Sequence, residues 1–212
     1  MNNLVAFGCS YTWGQGLEDC PWGSANPSKL AWPTKLAEKL NLKAVNYGTP
    51  AASNKEILLR LLTSNITKSD TVVFLWTYSH RYGIFSDDFY ENSYRFSKID
   101  SYAIKRYGPG MDKLTGRFEY SSLLKLHTEF DLMADSCLSI QHAVFYLKSL
   151  GVTQYHFSVE RMNTLSFMKT ATPAFIGFNP FQGIDESGDG LHPGPATQQL
   201  IADTIYDSIN QK

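Results

Sequence analysis

Thr71-Val72-Val73-Phe74-Leu75-Trp76 decides the fold. The run is β-branched and aromatic, and it is apolar at odd and even positions alike, so an extended strand here has two apolar faces. A strand of that kind belongs in the middle of a parallel sheet covered on both sides. Working outward, Leu4 to Phe7 is a short apolar run closed by Gly8, Lys43 to Tyr47 is a second strand ended by Gly48, and Tyr155 to Val159 is another. Helical patterns lie between them. Pro33 suits a first helical turn, and Leu36, Ala37 and Leu40 form an apolar stripe behind it. Residues 55–66 place Ile57, Leu58, Leu61, Leu62 and Ile66 inward, with Asn54 as the expected cap. In 122–149, Leu123, Leu126, Phe130, Met133, Cys137, Ile140, Val144 and Leu147 recur at alternating short steps; a core-facing helix ended by Gly151 fits them, and so does a coiled-coil seam with a partner. Residues 195–209 form a last helix, with Ala196, Leu200, Ile201, Ile205 and Ile209 inward.

Strands alternating with helices imply right-handed crossovers and an α/β fold with both sheet faces covered. Residues 80–120 are rich in Tyr, Ser, Asp and Gly without a sustained period, which predicts an insertion or long loop; residues 160–188 read as irregular. No internal repeat or linker divides the chain, so 1–212 is expected to be one domain. The 212 residues carry 19 basic and 20 acidic side chains, a net charge of −1. That balance offers no strong field for nucleic acid or anionic lipid. No apolar run approaches the ~18 residues of a membrane span, and Met1-Asn2-Asn3 opens onto the first strand without the pattern of a signal peptide. Cys9, Cys20 and Cys137, an odd number without short-range spacing, argue against a disulfide framework and fit a reducing compartment. A cytoplasmic protein is therefore expected. Aromatic residues reach 14%, which suits either core packing or a surface for carbohydrate or acyl chains.

The chemistry gathers at the two ends of the chain. Gly8-Cys9-Ser10-Tyr11-Thr12-Trp13-Gly14 directly follows the first strand, and ligands of open α/β sheets bind at the carboxyl ends of strands. Ser10 is thus the candidate nucleophile, with Gly8 read as allowing a sharp turn. Asp189-Gly190-Leu191-His192-Pro193-Gly194 precedes the last helix. A carboxylate three residues before a histidine can accept from Nδ1–H, fix the tautomer and leave Nε2 to take a serine proton. Other candidates are weaker. Cys9 reads mainly as a small buried hydrophobe. The glycines from Gly8 to Gly16 lack the Gly-Lys-Ser/Thr of a phosphate loop. Asp185, Glu186 and Asp189 crowd one loop without a calcium-loop pattern. His127, His142 and His156 form no metal-ligand pair, while His80 and Arg81 follow the central strand and are candidate substrate-binding residues.

Gly8-x-Ser10-x-Thr12-x-Gly14, Asn46-Tyr47-Gly48 and the late Asp189-x-x-His192 together resemble the SGNH, or GDSL-type, hydrolases across nearly the whole chain. Ala31-Trp32-Pro33, Asn46-Tyr47-Gly48 and Trp76-Thr77-(three residues)-Arg81 further resemble a variant found in phage and bacterial genomes. The resemblance implies a three-layer α/β/α sandwich with a flavodoxin-like parallel sheet. It implies Ser10 as nucleophile, His192 as base, Asp189 as its orienter, and an oxyanion hole using the backbone N–H groups of Ser10 and Gly48. Two blocks depart from the family's pattern. Cys9 stands where the family has Asp, and Thr77-Tyr78-Ser79-His80 stands where it has Gly-x-Asn-Asp, which puts Ser79 in the place of an oxyanion asparagine. Ser79 or Thr77 substitutes for that donor, or Arg81 reaches in. One such donor contributes about 3–4 kcal/mol to transition-state binding. The expected activity is hydrolysis of a small-molecule or glycan ester, an O-acetylated glycan first and a short acyl ester next, without metal or organic cofactor. An acyltransferase using the same three residues, or a weakly catalytic glycan-binding or phage-particle protein on the same fold, is the alternative.

Overall fold

The computed structural model describes residues 2–79, 81–86, 103–107, 128–159, 175–177 and 183–210. Its strands are Asn3–Gly8 (β1), Lys43–Asn46 (β2), Thr71–Trp76 (β3), Tyr82–Ser86 (β4), Ala103–Tyr107 (β5), Thr153–Ser158 (β6) and Phe175–Gly177 (β7). Its helices are Ser10–Trp13 (α1), Trp32–Leu40 (α2), Asn54–Leu62 (α3), Glu129–Ser149 (α4) and Pro195–Asn210 (α5). Five strands pair in parallel in the order β2-β1-β3-β6-β7. The chain moves outward from β1 to β2 and then returns past β1 to β3. The strand order therefore reverses between β1 and β3, the place where a doubly wound sheet opens a crevice at its carboxyl edge. Ser10 follows β1 and Thr77 follows β3, so the two blocks border that crevice.

The central strand behaves as its composition predicts. Val72, Phe74 and Trp76 point to one face and pack with Ile57 and Leu61 of α3 and with Cys137, Ile140, Ala143 and Leu147 of α4. Val73 and Leu75 point to the other and pack with Trp32, Leu36 and Ala37 of α2 and Ile201, Ala202 and Ile205 of α5. The two-residue period of a strand thus feeds two separate cores, one on each side of the sheet. The result is a three-layer α/β/α sandwich. The alternating spacing on α4 resolves in favour of the core: Cys137, Ile140 and Leu147 are buried, while Phe130 is exposed. No helix among the described residues is long and apolar enough to cross a membrane.

Four local expectations change. The α3 cap is Ser53, whose Oγ accepts from Glu56 N–H at 3.3 Å, and Asn54 is instead the first helical residue. Its side chain turns inward to the end of β3, a partner invisible to a local capping rule. The turn after β1 is a short helix, α1, rather than a plain loop. Within the expected insertion, β4 and β5 pair antiparallel as a separate sheet. In the stretch read as irregular, β7 adds a parallel edge to β6; three residues are too few to carry a legible period. The expected 122–127 part of the long helix, His80, His127 and the remainder of 80–120 and 160–182 lie outside the described residues.

Candidate active site

Asp189 and His192 meet as their spacing predicts. The Asp189 carboxylate accepts from Ser187 Oγ–H at 2.7 Å, Leu191 N–H at 3.0 Å and His192 N–H at 3.1 Å through Oδ1, and faces His192 Nδ1 at 2.7 Å through Oδ2. Burial alone would raise its pKa, but the hydrogen bonds from Ser187, Leu191 and His192 prevail and hold the carboxyl below its ordinary range. An ionised carboxylate only accepts, so the shared proton belongs on Nδ1 of His192, and Nε2 presents a lone pair. The imidazole is nearly enclosed, at 13% side-chain exposure.

This late turn is docked on the loop that follows Ser10. Gly188 N–H donates to the Gly16 carbonyl at 3.2 Å. Gly16 has φ +86°, and a Cβ there would meet Ser187 Oγ and stand 2.7 Å from Asp189 Oδ2. Glycine is required at Gly16 both by the left-handed backbone and by the closeness of the carboxylate. From the helix side, Gln198 Nε2 donates to the Tyr11 carbonyl at 3.2 Å. The Tyr11 ring stands edge-on to the His192 ring with centroids 5.9 Å apart. Ser10, one residue earlier, opens α1 at the carboxyl end of β1. No hydrogen bond joins Ser10 Oγ to His192 among the described residues; such contacts often tighten only around substrate. Ser10 and Cys9 are both buried, at 5% and 1% exposure. Gly8 has an ordinary negative φ; its role is close approach, because a Cβ there would collide with Thr12 Oγ1 and the Leu75 carbonyl.

The oxyanion candidates differ in how they are engaged. In α1, Thr12 and Trp13 N–H both bond the Cys9 carbonyl at 3.0 Å, so the Ser10 N–H lies ahead of the first helical bond. The Gly48 N–H donates to Asn46 Oδ1 at 2.8 Å, and Asn46 Nδ2 donates to the Thr12 carbonyl at 2.7 Å. The asparagine of the Asn46-Tyr47-Gly48 block is thus a strut between β2 and α1, and it occupies the amide the resemblance assigns to the oxyanion. Thr77 is fully buried and tied down three times: its N–H donates to Asn54 Oδ1 at 2.9 Å, its carbonyl accepts from Asn54 Nδ2 at 3.2 Å, and its Oγ1 accepts from Arg81 Nη1 at 3.0 Å. Ser79 retains 9% exposure, and its carbonyl accepts from Ser136 Oγ on α4 at 2.6 Å. Arg81 also reaches the Ala52 carbonyl at 3.4 Å and lies over the Tyr78 ring at 5.2 Å. Ala51, on the same β2–α3 connection, holds φ +61°, a strained value for a residue with a Cβ.

Sequence reasoning missed Asn54, Tyr11 and Tyr78. The Tyr78 and Tyr11 hydroxyls are hydrogen-bonded to each other, and burial pushes both phenols upward in pKa, so both stay protonated at neutral pH. The acidic loop is also explained without a cation. The Asp185 carboxylate accepts from Ala196 N–H at 3.0 Å and Thr197 N–H at 2.7 Å, so it caps α5. No cluster of three metal-ligating side chains occurs among the described residues. His156 is buried in the sheet core and His142 is exposed on α4.

No protein-family model and no curated protein sequence matches the chain. Solved structures do match. One is a carbohydrate esterase whose active site displays divergent catalytic and non-catalytic binding functions, at 14% identity and TM-score 0.58, covering 99% of this chain and 69% of that one. Another is an acetyl xylan esterase, Est2A, from the rumen bacterium Butyrivibrio proteoclasticus, at 12% identity and TM-score 0.56, covering 99% of this chain and 63% of that one. A third is the psychrotrophic esterase EstA from Pseudoalteromonas sp., inhibited by monoethylphosphonate, at 13% identity and TM-score 0.53, covering 100% and 98% of the two chains. Identity this low makes the likeness one of fold.

Proposed function

We propose that this chain, which has the fold of the SGNH/GDSL-type hydrolases, is a serine esterase. The observation that carries the reading is the Asp189–His192 pair at 2.7 Å, which leaves Nε2 as the candidate base; the contact of the His192 ring with Tyr11, the residue after Ser10, supports pairing that base with Ser10. Ser10 Oγ attacks the ester carbonyl carbon while His192 Nε2 takes its proton. Asp189 orients the imidazole and stabilises the imidazolium. The tetrahedral oxyanion is received by the Ser10 N–H and by the Gly48 N–H once it is shared with or released by Asn46. The third donor is Ser79, which is less deeply buried than Thr77, whose Oγ1 is already held by Arg81. Collapse expels the alcohol, protonated by His192, and water repeats the cycle on the acyl-serine. The substrate class is a small or glycan ester, with an O-acetylated glycan first; the carbohydrate esterases of like fold favour that choice.

A second reading has its own support. The Gly48 amide is engaged by Asn46 and Ser79 replaces the family's asparagine; each weakens oxyanion binding. A glycan-binding protein with little turnover is consistent with that weakness; an acyltransferase, which passes an acyl group from the same serine to another alcohol in place of water, needs the same oxyanion donors as the esterase. Hydrolysis of p-nitrophenyl acetate separates the readings. The esterase reading expects wild type to exceed Ser10→Ala by on the order of 10³-fold or more in kcat/KM; equal rates overturn it.

A further inference from the structure

A histidine ring turns about its Cβ–Cγ bond, and one hydrogen bond at Nδ1 restrains that turn without bracing the faces of the ring. Asp189 holds His192 at Nδ1, 2.7 Å away; the plane of the ring, and with it the direction of the Nε2 lone pair, needs a second contact. The Tyr11 ring provides one, with an interplanar angle of 85° and centroids 5.9 Å apart. Tyr11 is itself held at both ends. Its carbonyl accepts from Gln198 Nε2, and Gln198 Oε1 accepts from Trp32 N–H at 2.9 Å. Its hydroxyl is hydrogen-bonded with that of Tyr78, whose ring lies beneath the Arg81 guanidinium at 5.2 Å. Arg81 in turn grips Thr77 Oγ1 and the Ala52 carbonyl. A continuous chain of contacts thus runs from the base to the end of β3.

We propose that Tyr11 is a positioning residue: its ring sets the plane of His192. This rests on the esterase reading for its effect on rate, but not for the contact itself. Misplacement of a catalytic group by about 1 Å lowers rate on the order of 10²-fold. Tyr11→Leu, which lacks the ring, is therefore expected to lower kcat on p-nitrophenyl acetate by about 10- to 100-fold with KM little changed. Tyr11→Phe, which keeps the ring, restores most of kcat. A general loss of folding would spoil both variants and both constants together. Nuclear Overhauser contacts between the ring protons of Tyr11 and His192 in the wild-type protein are expected as well, and they are read without turnover. The proposal is overturned if those contacts are absent, or if Tyr11→Leu keeps the wild-type kcat. If wild type shows the contacts but no more hydrolysis than Ser10→Ala, the esterase reading fails and the ring geometry stands.

Discussion

Each group at the site is prepared by a partner that limits what it can do. Asp189 receives three donors on Oδ1, so only Oδ2 is left for the imidazole. Asp189→Asn places an amide where the carboxylate stood, removes the acceptor that fixes Nδ1–H and admits the wrong tautomer. Loss of kcat on p-nitrophenyl acetate by roughly 10²- to 10⁴-fold is expected, with circular dichroism unchanged; a loss below threefold would remove Asp189 from the mechanism. The Asp189–His192 contact was legible in the sequence because the carboxylate and imidazole lie three positions apart, and the place of Ser10 because the serine follows a strand. Tyr11, Tyr78 and Asn54 were not, because their meaning lies in contacts across the fold. Asn54 sits 23 positions from Thr77, and a rule confined to neighbouring residues reads it only as a helix cap. The engagement of Gly48 by Asn46 was illegible for another reason: the motif names the amide but not what already bonds it.

Between elements, the junction of α3 and β3 holds the third block in place. Asn54 satisfies both the N–H and the carbonyl of Thr77, so an amide side chain acts as one more rung beside the strand. Asn54→Ala leaves two buried backbone groups without their partner. Each such group costs about 1–3 kcal/mol. A lower midpoint in urea and a reduced kcat are expected together; an unchanged midpoint would mean that solvent or a neighbour replaces the rungs. Strands and helices were readable from periodicity wherever they were long. The short α1 and β7 escaped, since four and three residues are too few for a helical or strand period to stand out. Position within the sheet was readable too: the two-faced apolar run Thr71–Trp76 is the central strand of the five.

At the scale of the molecule, the core carries a buried titratable group next to the site. His156 stacks on Phe74 with centroids 4.8 Å apart, accepts from Trp76 Nε1–H through Nδ1 at 3.1 Å, and pairs through Nε2 with Gln154 Oε1 at 2.7 Å. Burial lowers its pKa to about 3, so it is neutral in the fold, while the unfolded imidazole protonates near 6.5. Between those values the unfolded chain binds the extra proton. This contribution to stability is therefore complete above about pH 6.5 and declines as pH falls towards 3, by about 1.4 kcal/mol per pH unit. Urea denaturation at pH 7 and pH 4.5 should show the decline, and His156→Gln should flatten it; equal slopes in the two proteins would contradict the assignment. The β1–β3 crevice lies beside this core, and the whole account comes down to whether the hydroxyl at its rim is a nucleophile. The direct measurement is intact-mass and peptide mapping after treatment with a p-nitrophenyl alkylphosphonate. Oγ should form a bond to phosphorus and expel p-nitrophenolate, giving one stoichiometric adduct on Ser10 that is lost in His192→Ala. An unmodified Ser10, or labelling that does not depend on His192, would contradict it.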